Sequence, residues 1–256
     1  MLFCVGCQWH LSNNGDEESD GPISIERYDR LERHFLTSGD VAAMQQMNTE
    51  YPAETRTLIE DMLRLGRVDD QGINSRFLSF FQDSTLQVLI GDAEKQYADM
   101  SDLEEQLGSA FGRLQDFLPT LQMPRVYTQI GSLDQSIVVG DGLLGISLDK
   151  YLGSDHPVYL RYGYTDGQRA MMSREYIVPD CLSFYLLSLF PFNGEPATPE
   201  NMARAAEHMA RIQYVANKAM GRDFFTSEGV RAVEEYMSEH PSTTVSELLS
   251  LQDNEQ

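Results

Sequence analysis

Cations are scarce in this chain. Lysine occurs only at Lys95, Lys150 and Lys218, and Lys plus Arg total 19 against 40 Asp plus Glu, a formal charge of −21. Nucleic-acid binding needs a dense array of cations to displace counterions from phosphates, so that class is excluded. The same shortage argues against a protein held on anionic lipid by basic patches. Long apolar runs are missing too: no stretch approaches the ~18 residues that a membrane-spanning helix needs. Catalytic signatures are equally sparse. There is no His-Glu-x-x-His to grip zinc from one helical turn, no Gly-x-Ser-x-Gly elbow and no Gly-rich phosphate loop. The carboxylate pairs Glu104-Glu105 and Glu234-Glu235 read as solvated helix faces, as expected in so acidic a chain.

What is present is a globular chain. Its 41% hydrophobic and 10% aromatic residues exceed what a disordered chain carries, and 256 residues suffice for one large domain or two small ones. Three readings compete for the opening Met1-Leu2-Phe3-Cys4-Val5-Gly6-Cys7. A Cys-x-x-Cys redox pair normally starts a helix inside a folded domain, and nothing here supports one. A zinc site needs about four ligands, and neither Cys181 nor the scattered histidines offer a second paired spacing. The reading that accounts for the abrupt change at Cys7 is the end of a bacterial lipoprotein signal. Small residues precede a cysteine to be acylated, and the polar, acidic residues 8–22 form a tether, with Trp9 at the membrane interface. This reading needs a basic and apolar leader upstream of Met1. The expected division is residues 1–6 as signal end, 7–22 as tether and 23–256 as one domain.

Residues 23–120 read as successive helices. Ile25, Tyr28, Leu31 and Phe35 recur at helical spacing; Asp40 caps Val41–Met47; Tyr51-Pro52 opens a helix ended by Gly66. Helices are expected at 75–81 and 84–97, and Ser101 with Glu104 reads as a capping box before the stripe Leu103, Leu107, Phe111, Leu114, Leu118. After Pro124 the runs 126–130, 137–139 and 143–148 predict a small antiparallel sheet, with Asp141-Gly142 as a tight turn. Helical spacing returns at 173–189, 201–220, 227–238 and 245–251. The fold class is thus α+β, predominantly helical. Cys181 and the methionines at 171, 172, 202, 209 and 220 read as core filling, and His208 as a satisfied helical histidine. The 16 arginines suit internal carboxylate pairing.

One loop concentrates chemistry. A strand delivers Asp149, Tyr151, Asp155, His156 and Tyr159 into a compact segment shaped by Gly153 and Pro157. Such a loop serves as a binding surface or metal-binding remnant, or it satisfies its own backbone through local hydrogen bonds. The run Leu148-Asp149-Lys150-Tyr151-Leu152-Gly153, followed by Asp155-His156-Pro157 and Tyr159, resembles the gliding-motility lipoprotein family of Bacteroidetes, the GldB-like proteins. Ile25-Glu26-Arg27-Tyr28-Asp29, Tyr51-Pro52, the Phe80–Gln106 segment, Met172–Asp180, Tyr236-Met237 and Val245–Leu249 fall in the family's order.

That resemblance implies a zincin-like helical domain related to predicted zinc metallopeptidases. It also supports Cys7 as the acylated residue. Where those relatives carry the zinc motif, this chain has Asp180 and Phe184 four apart, and phenylalanine cannot coordinate zinc. The expectation is therefore a protein of the cell envelope, lipid-anchored and facing the periplasm or the cell surface, with no catalytic residue, no metal and no cofactor. It would bind envelope partners, including gliding or secretion machinery, through Asp149, Tyr151, Gly153, Asp155, His156, Tyr159 and Asp180. It would touch the membrane through its lipid anchor only and bind no nucleic acid. The competing expectation is a divergent metal-dependent hydrolase using Asp149, Asp155, His156 and Asp180. A third is a cytosolic helical interaction protein.

Overall fold

The computed structural model describes residues 23–140, 142–194 and 198–251. Cys4, Cys7, Trp9 and the proposed tether lie outside the described residues. The chain enters as a two-residue strand, β1 (Ile25–Glu26), and continues through α1 (Tyr28–Ser38), α2 (Val41–Glu50) and α3 (Pro52–Arg56), which runs on as a π-helical turn at Thr57–Met62. Helices α4 (Ile73–Phe81), α5 (Ser84–Gln96) and α6 (Ser101–Phe117) follow. Strands β2 (Arg125–Gln129), β3 (Ile137–Gly140) and β4 (Leu143–Ser147) come next, then the short α7 (Pro157–Arg161) and α8 (Asp166–Ala170). The chain closes with α9 (Ile177–Leu189), α10 (Pro199–Met220), α11 (Glu228–Glu239) and α12 (Val245–Ser250).

The helical stripes pack as their spacing predicts. Leu103, Leu107, Phe111, Leu114 and Leu118 are all buried, and Asp40 accepts the Ala42 N–H at 2.9 Å as the N-cap of α2. Cys181 is buried, and His208 is buried with Nε2 2.7 Å from the Phe190 carbonyl. Met171 and Met202 depart from the core-filling expectation, since both are exposed.

The sheet differs from the expected antiparallel arrangement. Its order is β1-β2-β4-β3, with β1, β2 and β4 parallel and only β3 antiparallel to its neighbour. The physical reason is the 130–136 connection. It carries the chain past the neighbouring position to the sheet's edge, and the β3–β4 hairpin, with Gly142 at φ +73°, then brings β4 back between β2 and β3. β1 itself stands where helical spacing placed the start of a helix, because Ile25 lies three residues before Tyr28.

Glu104 explains both β1 and the missing capping box. The box at Ser101 does not form; Asp99 Oδ1 accepts the Ser101 N–H at 3.0 Å, and Glu104 Oε1 reaches out to accept the Ile25 N–H at 2.9 Å. Glu104→Ala removes that acceptor from the sheet edge. It is expected to cost about 1 kcal/mol, measured by urea unfolding, with hydrogen exchange at Ile25 speeding up well before global unfolding; unchanged exchange there would contradict the assignment.

Candidate functional site

Strands β2 and β4 end side by side at Gln129 and Ser147, β1 stops two residues earlier at Glu26 opposite Tyr127, and polar groups gather at those carboxyl ends. After β2 the chain turns through Gly131, Ser132 and Leu133, the last two with left-handed φ of 56° and 63°. A Cβ on Gly131 would sit 2.7 Å from Ser147 Oγ and 2.9 Å from Met62 Cε, so any side chain there forces those neighbours to shift. This turn presents consecutive N–H groups as a concave anion nest. Asp149, one residue into the 3₁₀ turn after β4, fills it: Oδ1 accepts the Gly131 N–H at 2.7 Å and Oδ2 the Leu133 N–H at 2.5 Å. From the other side, Glu32 on α1 accepts the Ile130 N–H at 2.8 Å, and Thr128 donates its hydroxyl to Asp29.

The loop after Asp149 is closed by tyrosines. Tyr159 donates to the Asp149 carbonyl at 2.6 Å and accepts the Leu152 N–H at 2.9 Å. Tyr97, the C-cap of α5, donates to the Tyr151 carbonyl at 2.5 Å, and Tyr151 donates to Asp180 Oδ2 on α9 at 2.6 Å. Gly153, at φ +110°, gives its N–H to the Met172 carbonyl. His156 precedes Pro157 at the start of α7, and its Nε2 lies 3.2 Å from Asp92 Oδ2 on α5. Asp155 is exposed.

Burial shapes the electrostatics. It pushes the Glu32 carboxyl well above the usual carboxylate range, a shift opposed by the Ile130 N–H and reinforced by the charges of Asp149 and Asp29. Burial also raises Asp149 against the pull of its backbone N–H bonds. Asp180 is pushed up to about 6 by burial, with the Tyr151 hydroxyl working the other way.

The seven residues singled out in the sequence therefore fall into two sets. Asp149, Tyr151 and Tyr159 are fully buried and cannot touch a partner, so they form the foundation of the loop and not its surface. Asp180 is half-buried and held by Tyr151, Gly153 is half-buried, His156 turns its largely covered ring to Asp92, and Asp155 is the one of the seven that is exposed. The ligand set of the metal-dependent alternative does not converge. Asp149 is spent on two amides, Asp180 on Tyr151 and His156 on Asp92, and among the described residues no three His, Cys, Asp or Glu side chains are grouped to hold a metal ion.

Spacing missed the exposed side chains that this foundation supports. Leu160, Tyr162 and Met171 on the α7–α8 projection are each more than half exposed. Their one sequence signal is large apolar residues in a turn-rich stretch with no helical companions.

These features define a class: a helix-clad α+β domain whose buried acids stitch the carboxyl ends of parallel strands together. More particularly, the chain belongs to the gliding motility protein GldB family, whose model matches residues 12–221. The match ends at Gly221, the left-handed residue that closes α10, so the likeness read at Tyr236-Met237 and Val245–Leu249 lies beyond it. No curated protein and no solved structure matches the chain. Among the described residues no helix is long and apolar enough to cross a membrane.

Proposed function

We propose that this chain is a non-catalytic, metallopeptidase-like envelope domain, lipid-anchored through Cys7, that binds a protein of the gliding machinery through its α7–α8 projection. The observation that carries this reading is the division of labour in the 149–172 segment. Asp149, Tyr151 and Tyr159 are spent on internal hydrogen bonds, and the rigid frame they make holds Asp155, Leu160, Tyr162 and Met171 out to solvent. Exposed large apolar groups on a rigid frame are the usual anchors of a protein interface. The same division weighs against hydrolysis, because Asp149, Asp180 and His156 are each engaged internally and among the described residues no group of potential metal ligands forms. On α9, Asp180 and Phe184 stand four apart, and the exposed Phe184 ring offers no metal donor.

A photo-reactive amino acid at Tyr162 in the native host tests the reading. One envelope protein should crosslink there, with no adduct when the same group replaces the exposed Val41 on α2. A Leu160→Ala/Tyr162→Ala/Met171→Ala variant should lose that partner while its melting temperature stays within a few degrees of the parent's. No adduct at Tyr162, or full partner recovery by the triple variant, removes the projection from the interface. Anchoring is tested separately: with the gene's own upstream sequence, Cys7→Ser should move the protein from the membrane fraction to the soluble one.

A further inference from the structure

The two edges of the sheet are treated differently. β1 is two residues long, its Ile25 N–H is taken by Glu104, and Glu26 is held by Arg125 at 2.8 Å. Short length and side-chain cover are ordinary protections of an edge. β3, four residues long, has no such side-chain cover among the described residues. Its residues Ile137-Val138-Val139-Gly140 include no lysine, no proline and no charge. The Ser147 N–H donates to the Ser136 carbonyl at 2.9 Å, and an antiparallel ladder alternates, so the N–H and C=O of Ile137 and Val139 point away from β4. Among the described residues nothing hydrogen-bonds to those four groups.

Beside this edge lies a cleft of about 540 Å³ between β3, α9 and the 118–122 turn. Val139, Gly140, Gln122, Tyr185, Ser188 and Leu189 line it, and among the described residues no charged side chain does. A row of free backbone donors and acceptors matches an extended chain, and an uncharged cleft alongside matches the alternate side chains of that chain. We propose that β3 accepts an extended segment of a partner polypeptide as a fifth strand. Apolar or β-branched side chains at alternate positions enter the cleft, and basic residues flank them.

The charge argues for that occupant over a second copy. Each chain carries −21, so two copies brought edge to edge repel, while a basic segment is drawn in. The surface is distinct from the α7–α8 projection, and either can fail alone.

The test uses the purified full-length chain against displayed random peptides of about twelve residues. Expected hits alternate apolar and β-branched residues and carry Lys or Arg. On their binding, the amides of Ile137 and Val139 should gain protection from hydrogen exchange. Val139→Pro removes one outward donor at an edge position where proline is tolerated, and should weaken the selected peptides about tenfold. Tyr162→Ala should leave their affinity unchanged.

Several results would overturn the proposal: no enrichment, equal binding by Val139→Pro, protection confined to other segments, or a concentration-dependent dimer in sedimentation that Val139→Pro abolishes. Should Val139→Pro fail to fold, exchange in the parent protein decides the matter.

Discussion

Asp149→Ala is expected to lower the unfolding free energy by about 3–5 kcal/mol, the largest loss of any single substitution outside the apolar core. Its two oxygens accept the N–H groups of the buried Gly131 and Leu133, and alanine leaves both donors without a partner. The turn cannot relax to find others, since Ser132 and Leu133 hold left-handed backbone and Gly131 sits against Ser147 and Met62. Each orphaned buried amide costs about 1–3 kcal/mol, and the vacated space adds a little more. Asp149→Asn should fall between, because one oxygen remains while its amide donors face another donor.

For a chain of this size the alanine variant should melt about 10 °C lower. Urea unfolding and calorimetry read this directly. A loss under about 1 kcal/mol, or equal losses for Ala and Asn, would mean that the nest is not what holds the strand ends. The effect should also reach the proposed interface. Tyr159 hangs on the Asp149 carbonyl and starts the segment that bears Leu160 and Tyr162, so a frayed frame should weaken crosslinking at Tyr162.

How much of this was legible in the residues depends on the range of the interactions. The stripe from Leu103 to Leu118 needed only its own spacing, and α6 forms as read. Asp40 needed only its neighbour Ala42. β1 failed the same test, because two residues carry no period and Ile25 sits in register with the helix that follows it.

Strand direction was out of reach for a related reason. The length of the 130–136 connection does not say whether the chain hairpins or crosses. The nest that fixes the answer is completed by Asp149, which is 18 residues from Gly131 in sequence. At the candidate site, the composition of the 149–159 loop marked the right neighbourhood. Burial reversed the roles within it, because the partners of Tyr151 come from Tyr97 and Asp180, 54 and 29 residues away. Polar residue types announce hydrogen bonds; they do not announce which side of the surface those bonds lie on.

Asp180 makes that point measurable through pH. It sits in the first turn of α9, accepts the Tyr151 hydroxyl, and is pushed by burial from 3.8 up to about 6. The folded chain thus binds this proton more tightly than the unfolded chain does. The stabilisation that follows is fully present below the unfolded value and is lost as pH rises through about 6. The interval corresponds to about 3 kcal/mol by the end of the titration.

Asp180→Asn keeps an acceptor for Tyr151 and cannot titrate, at a cost of about 1 kcal/mol for its unmatched amide. The variant should therefore be about 1–2 kcal/mol more stable than the parent at pH 7.5, and equal or slightly less stable at pH 4. Glu32 and Asp149 are also raised by burial, but they titrate in both proteins and cancel in the difference. Urea unfolding of both proteins from pH 4 to 7.5 should give curves that cross near the middle of the range. Parallel curves would place the Asp180 carboxyl in contact with water, and would turn the Tyr151 bond into a surface contact instead of the buried tie that joins the loop to α9.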